Sequence, residues 1–376
     1  MASDLEIFLA APPGLEPLLR AEALEQGFAG AAETPGGVTV RGDWPDVWRA
    51  NLVLRGASRV LVRIGAFRAL HVAQLDKRAR RFDWASHLRA DTPVRVEASC
   101  RRSRIYHEGA VVSRIARALA EGPGIATAAD APVTLKVRIE DDLCTLSLDS
   151  SGEPLHRRGT KQAVGKAPMR ETLAALLLRA CDHVPGEALV DPMCGSGTFV
   201  LEAAEMAAGL PPGRSRTFAF ERFASFDAAR WERLRATALP TLTVPEGQPR
   251  LVGSDRDQGA IAAAAANAAR AGLTGHVAFH RRPVSEAEPP GGPPGLVIVN
   301  PPYGARIGDR KALIALHGAL GARMRARFAG WRIGLVTATP ELARATGLPF
   351  GPPGPPIPHG GLKIRLYRTG PLPPAG

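Results

Sequence analysis

Asp191-Pro-Met-Cys-Gly-Ser-Gly-Thr-Phe199 follows the apolar run Ala188-Leu-Val190. A short apolar strand that ends in an acid, then passes through two glycines into a helix, is a ligand-holding loop at the edge of a sheet. Gly195 and Gly197 allow positive φ and close approach of backbone to ligand. A helix opening near Thr198 aims free N–H groups at an anionic group. The spacing is not GxGxxG, and no Lys-Ser/Thr pair follows as in a phosphate-binding loop. Asp191, Pro192, Cys194, Gly195, Ser196, Gly197 and Thr198 are therefore candidate cofactor-binding residues.

Two later stretches extend the pattern. Gly253-Ser-Asp-Arg-Asp257 closes a second apolar run, and Asp255 at its end can accept hydrogen bonds from ribose hydroxyls. Asp257 is the alternative, better placed to cap the helix that begins near Gln258. Asn300-Pro-Pro-Tyr303 follows the all-apolar Leu296–Val299, so it lies at the carboxyl end of a buried strand, where ligands bind in open α/β sheets. The residue types suit an aromatic amine, a poor nucleophile whose lone pair is delocalised. The Asn300 amide oxygen and the Pro301 carbonyl can accept its two N–H bonds, Pro301 and Pro302 stiffen the acceptors, and Tyr303 can stack on an unstacked base. Together the loops describe a site for an adenosyl cofactor and an exocyclic amine.

Outward from this core, the chain divides by rhythm. Residues 1–60 read as strand (6–10), helix (14–26), strand (37–41) and helix (46–54), with another alternating strand at 59–63, a small α+β unit. Residues 61–150 add helical stretches at 71–75 and 84–88, a strand at 93–99, a helix at 109–120, and strands at 133–139 and 143–148 joined by the acidic turn Glu140-Asp-Asp142. From 151 to 376, strands alternate with helices, the pattern of a parallel sheet with crossover helices. The Pro/Gly stretches at 289–295 and 351–358 read as surface loops.

The chain carries 48 basic and 36 acidic residues, a net +12. Residues 161–376 hold 26 basic and 16 acidic side chains, whereas residues 1–160 are near neutral with 22 and 20. Within the latter, Lys77–Arg117 gathers 11 basic against 4 acidic residues, a local surplus suited to a polyanion. Four scattered cysteines without a CxxC pair predict neither zinc site nor disulfide framework. No apolar run approaches a membrane span and Met1–Ala10 lacks a signal peptide's features, so a cytoplasmic, metal-free protein is expected.

The order of the two loops resembles class I S-adenosylmethionine-dependent methyltransferases of the Asn-Pro-Pro-Tyr subgroup. With Ser151-Gly-Glu-Pro-Leu-His-Arg-Arg-Gly159, Ala167-Pro-Met-Arg-Glu-Thr-Leu173 and Gly361-Leu-Lys-Ile-Arg-Leu-Tyr367, the chain resembles THUMP-domain RNA methyltransferases, nearest the bacterial 23S rRNA guanine-N2 methyltransferase family. The resemblance implies a Rossmann-like α/β catalytic domain (151–376) behind a ferredoxin-like segment (1–60) and a THUMP RNA-binding domain (61–150). It also implies methyl transfer from S-adenosylmethionine to a guanosine N2 in structured RNA, most directly 23S rRNA. A tRNA guanosine, or a non-catalytic RNA-binding assembly role, are the alternatives. The methionine part of the cofactor would lie against Asp191 to Thr198, ribose against Asp255, and guanine against Asn300 to Tyr303. One departure is that Pro283 stands where the family often has an acid near adenine, which leaves backbone groups and apolar contacts at Val284. Arg101, Arg102 and Arg104 after the 93–99 strand, with Arg157, Arg158 and Lys161, are the candidate RNA contacts.

Overall fold

In a computed structural model, the residues described are 4–159, 169–241, 247–303 and 310–374. The chain resolves into two compact units. The first comprises Met1–Ala11, Leu19–Leu155 and Arg216–Ala238, and the second Pro12–Leu18, His156–Ser215 and Leu239–Gly376.

The N-terminal elements are β1 (Leu5–Ala10), α1 (Glu16–Glu25), β2 (Ala32–Thr34), β3 (Gly37–Gly42), α2 (Trp44–Val53) and β4 (Arg59–Arg68). They continue with α3 (Val72–Ala79), β5 (Val94–Arg101), α4 (Glu108–Glu121), β6 (Val133–Glu140) and β7 (Leu143–Asp149). The seven strands form one sheet in the order β2-β3-β1-β4-β7-β6-β5, antiparallel except for β5 beside β6. Residue 60, expected as a boundary, falls inside β4, which pairs with β1 through Arg59–Arg63 and with β7 through Leu61–Arg68. The 133–139 and 143–148 strands form the expected hairpin. Asp141 and Asp142 both take positive φ (51° and 62°), the two-residue turn whose twist matches its strands. The stretch 84–88, expected as helical, is a turn, with the Trp84 indole N–H donating to the Ala79 carbonyl at 2.8 Å.

Residues 216–238 lie in sequence between strands of the second unit, yet they belong to the first. Aromatic packing explains it. Phe220 stacks on Trp48 (6.0 Å) and meets Trp231 edge-on (5.0 Å), while Phe223 meets Trp44 edge-on (5.8 Å). Such pairs add directional attraction to the burial of large apolar surface.

The remaining elements are α5 (Glu171–Ala180), β8 (Leu189–Asp191), α6 (Thr198–Ala207), α7 (Ala228–Ala238, in the first unit), β9 (Leu251–Asp255), α8 (Gln258–Ala271) and β10 (Val277–Arg281). β11 (Leu296–Val299), α9 (Arg310–Arg327), β12 (Arg332–Thr337), α10 (Pro340–Ala345), β13 (Ile357–His359) and β14 (Leu362–Arg368) follow. The sheet order is β10-β9-β8-β11-β12-β14-β13, parallel from β10 to β12 and antiparallel beyond. β13 lies partly in the 351–358 stretch that reads as a loop. Val190, Val297, Val299, Ile333 and Leu335 form a core with Leu320, Met324 and Phe328 of α9 and its end. Among the described residues, no helix is long and apolar enough to cross a membrane.

Candidate active site

Strands β8, β9 and β10 run to one side of the sheet, and β11 and β12 to the other. The order reverses between β8 and β11, and ligands bind outside the carboxyl ends at such a switch point. Asp191 ends β8, Asp255 ends β9, and Asn300 follows β11, so the fold brings all three to one edge. Leu296 is paired with Leu189 and Val297 with Val190. In that register Ile298 matches Asp191, and Asn300, two residues on, shares its face of the sheet.

The loop after β8 is tightly held. The Cys194 N–H donates to the Ser254 carbonyl (2.9 Å), and the Gly197 N–H to the Cys194 carbonyl (2.8 Å). Gly195 (φ 52°) and Gly197 (φ 84°) are left-handed. A Cβ on Gly195 would meet nothing within 4 Å, whereas one on Gly197 would lie 3.0 Å from the Phe279 ring and 3.2 Å from Ala264. Gly195 thus leaves a cradle that a side chain would fill, and Gly197 is demanded by packing. No side chain caps α6 at Gly197, which leaves its first N–H groups facing the loop. Ser196 and Thr198 are buried within this turn, and Pro192 is buried beside Asp191.

Two carboxylates shape the cradle. Asp191 is 2 % exposed and accepts the Met193 N–H (3.1 Å). Burial pushes its carboxyl up to about 8; the Met193 hydrogen bond opposes the rise and the Asp255 charge adds to it. Asp255 accepts the Gly195 N–H on one oxygen (3.1 Å) and the Asp257 N–H on the other (3.0 Å). An ionised carboxylate has about four acceptor positions, so both oxygens retain capacity for hydroxyl donors. Asp257 caps α8 through the Gly259 N–H at 2.7 Å. Burial, reinforced by Asp191 and Asp255, holds the Cys194 thiol well above the ordinary range, so it is neutral and packs rather than reacts.

Across the switch point, the Asn300 side-chain oxygen is withdrawn from solvent and has no hydrogen-bond partner among the described residues. A buried acceptor left unmatched costs about 1–3 kcal/mol, which makes it a feature that a ligand N–H would satisfy. Pro301 is buried, Pro302 and Tyr303 half-buried, and burial pushes the Tyr303 hydroxyl up to about 12. Val284 opens a short 3-10 turn, but its side chain is packed among Val190 and Val297, so only its backbone is available to a ligand. Among the described residues no cluster of three or more His, Cys, Asp or Glu side chains could hold a metal ion.

Three supporting residues escape inspection of the sequence. Phe279 packs over Gly197 and Gly253, where a Cβ would approach its ring to 2.6 Å. The readable trace is Gly253 itself, an interruption in an apolar strand. Asn267 donates from Nδ2 to the Ser196 carbonyl (3.1 Å), fixing the loop from α8; its trace is a lone amide in an alanine run. Ser254 contributes its carbonyl.

Among the expected RNA contacts, Arg158 requires correction. It is 4 % exposed, with its guanidinium 3.3 Å from the equally buried Glu202 of α6. A buried charge must be paired, and Arg158 meets a buried carboxylate instead of facing solvent as a phosphate contact would. Arg157 is exposed, and Lys161 lies outside the described residues. Arg101, Arg102 and Arg104 are exposed in the first unit. Arg101 and Arg102 line an open groove of about 890 Å³ on its sheet, with Arg68, Lys136 and Arg138. Glu140 and Asp141 engage Arg102 at 2.8 and 3.2 Å, and Asp142 lies 3.8 Å from Arg104.

Residues 6–61 match the RlmL ferredoxin-like domain. The chain is 38 % identical over 366 residues to the ribosomal RNA large subunit methyltransferase K/L of Syntrophotalea carbinolica, covering 93 % of this chain and 51 % of that protein. The protein of the same name from Chromohalobacter salexigens is 36 % identical over 364 residues, covering 92 % and 50 %. The chain thus spans about half the length of these curated relatives. Among solved structures, SMU.472, crystallised with SAH, superposes with a TM-score of 0.87 at 25 % identity, covering 100 % of this chain and 99 % of that one. Residues 158–348, which contain both loops of the switch point, match the RMKL-like methyltransferase domain, and the chain belongs to that family.

Proposed function

We propose that the chain transfers a methyl group from S-adenosylmethionine to the exocyclic N2 amine of a guanosine in large-subunit ribosomal RNA, a reaction of the cytoplasm. The observation that carries this reading is the unmatched, buried Asn300 oxygen, set one strand from the glycine loop at the switch point. The substrate is read from the relatives, which are named for ribosomal RNA, and the cofactor from the SAH held by SMU.472.

Bound in the cradle, S-adenosylmethionine would supply an electrophilic methyl on a sulfonium. The chain's residues divide the remaining work. Asp191 to Thr198 hold the amino-acid end, with Asp191 facing its positive charges and the uncapped turn of α6 its carboxylate. Asp255 takes ribose hydroxyls, and the Val284 backbone borders the adenine. Asn300 and the Pro301 carbonyl accept the two amine N–H bonds and draw the nitrogen's lone pair out of conjugation. This preorganised acceptor pair requires no reorganisation as charge develops. Tyr303 stacks on the base. Residues 1–60 and 61–150 serve as ferredoxin-like and THUMP parts that hold the RNA through phosphates, with Arg101, Arg102, Arg104 and Arg157 as contacts.

The test is transfer of labelled methyl from S-adenosylmethionine to a large-subunit rRNA transcript, followed by nucleoside digestion. N2-methylguanosine is the expected product. Label recovered only from tRNA would redirect the substrate, and RNA binding without transfer would leave an assembly role.

A further inference from the structure

β14 reaches beyond the strand it pairs with. Its pairing with β12 begins at Arg365, opposite Thr337, the last residue of β12. Leu362, Lys363 and Ile364 run past that end, and β13 pairs with these three alone. β12 is parallel to β11, and β11 to β8, so the overhang extends past the carboxyl edge that bears Asp191 and Asn300. At about 3.4 Å per residue it projects roughly 10 Å, and two strand spacings place it about 10 Å to the side of β11.

The hairpin is anchored at its base and bare at its tip. Ile357 and Ile364 are buried, the Gly354 N–H donates to the Leu366 carbonyl (2.9 Å), and Arg365 donates to the Gly354 carbonyl (2.7 Å). Pro358 removes a donor from the outer strand, which discourages pairing with another chain along that edge. At the turn, Gly360 (φ 57°) and Gly361 (φ 83°) are both left-handed, and a Cβ on either would meet nothing within 4 Å. Leu362 is 44 % exposed, a large apolar side chain presented at the tip. Lys363 is exposed and has no ion-pair partner among the described residues. Arg170 is also exposed, and its charge, after burial, holds the neighbouring His359 below its usual range. Cations, a bare peptide turn and one apolar wedge, fixed beside the acceptor site, match a nucleic-acid strand.

We propose that the β13–β14 hairpin is an RNA-contacting arm, in which Lys363 holds a phosphate and Leu362 packs against a base flanking the nucleotide presented to Asn300. This rests on RNA being the substrate. Lys363→Ala, Lys363→Glu, Lys363→Arg and Leu362→Ser are compared in the full chain with a large-subunit rRNA transcript. Lys363→Glu and Leu362→Ser should raise the RNA KM roughly tenfold and fivefold, and Lys363→Arg should restore it to within about twofold. Lys363→Ala should lower the salt slope of RNA binding by about one. The dissociation constant for SAH and kcat should stay within about twofold of wild type, as no phosphate contact is part of the methyl-holding loop. Wild-type KM and salt slope in Lys363→Ala and Lys363→Glu would overturn the arm, and so would an SAH affinity that falls in parallel with RNA affinity. Absence of transfer by the wild-type chain would refute the functional reading instead, and the binding slopes would still decide on the arm.

Discussion

The two glycines of the loop after β8 should fail in different ways when each becomes alanine. Gly197→Ala places a Cβ 3.0 Å from the Phe279 ring and 3.2 Å from Ala264, in a backbone held at φ 84°. The left-handed conformation costs about 1–2 kcal/mol for an L-residue, and forcing a methyl into packed surroundings about 1–3 kcal/mol more. Gly195→Ala carries only the first of these, because no atom lies within 4 Å of its Cβ. Its methyl instead occupies the space read as the ligand's. Urea unfolding should therefore show Gly197→Ala losing about 2–5 kcal/mol and Gly195→Ala about 1–2. Calorimetric titration with SAH should reverse the order, with Gly195→Ala weakened at least about tenfold, or 1.4 kcal/mol. A cycle with Phe279→Leu should return a coupling of about 1 kcal/mol to Gly197→Ala and none to Gly195→Ala. Equal destabilisation by the two variants, or wild-type SAH affinity in Gly195→Ala, would refute the assignment of the cradle.

Asn300→Ala should leave SAH binding intact and lower kcat about 10²–10³-fold, as loss of one preorganised partner does; single-turnover transfer measures it. Affinity for S-adenosylmethionine should strengthen as pH rises towards about 8 and level off above, because burial keeps Asp191 protonated below that pH and a cationic ligand favours its ionised form. Binding below pH 8 should accordingly release a proton, seen by calorimetry in buffers of different ionisation enthalpy, and Asp191→Asn should flatten the profile. Arg158→Ala should cost about 3–5 kcal/mol of stability by removing one partner of a buried ion pair, largely recovered in Arg158→Met with Glu202→Leu. The salt slope of RNA binding should not change in that pair, whereas a phosphate contact would lower it.

The legible parts of this molecule are those written in local chemistry. Alternation marked β1, β3, β6 and β7 within a residue or two, and Glu140-Asp-Asp142 marked the hairpin because adjacent acids tolerate positive φ. The acids that end β8 and β9, and the Asn-Pro-Pro-Tyr run after β11, were legible as neighbours on one edge because parallel strands put their carboxyl ends together. What escaped depends on partners distant in sequence. Nothing local tells Arg158 from Arg157, since the buried carboxylate that Arg158 meets, Glu202, lies 44 residues on. The allegiance of 216–238 is decided by Trp44 and Trp48, and β4 runs on across the expected boundary near 60 because it is shared between two ladders.

That allegiance has a consequence for how the molecule is made. A chain leaving the ribosome emerges from its amino end, and domains generally fold as they appear. Here the aromatic cluster on α2 lacks Phe220 and Trp231 until after β8 and α6 have been synthesised. The first unit cannot reach its final packing before the nascent chain has passed residue 238, by which time the first strand of the second unit is already available. The two units must then mature interleaved, each waiting on sequence beyond the other's start.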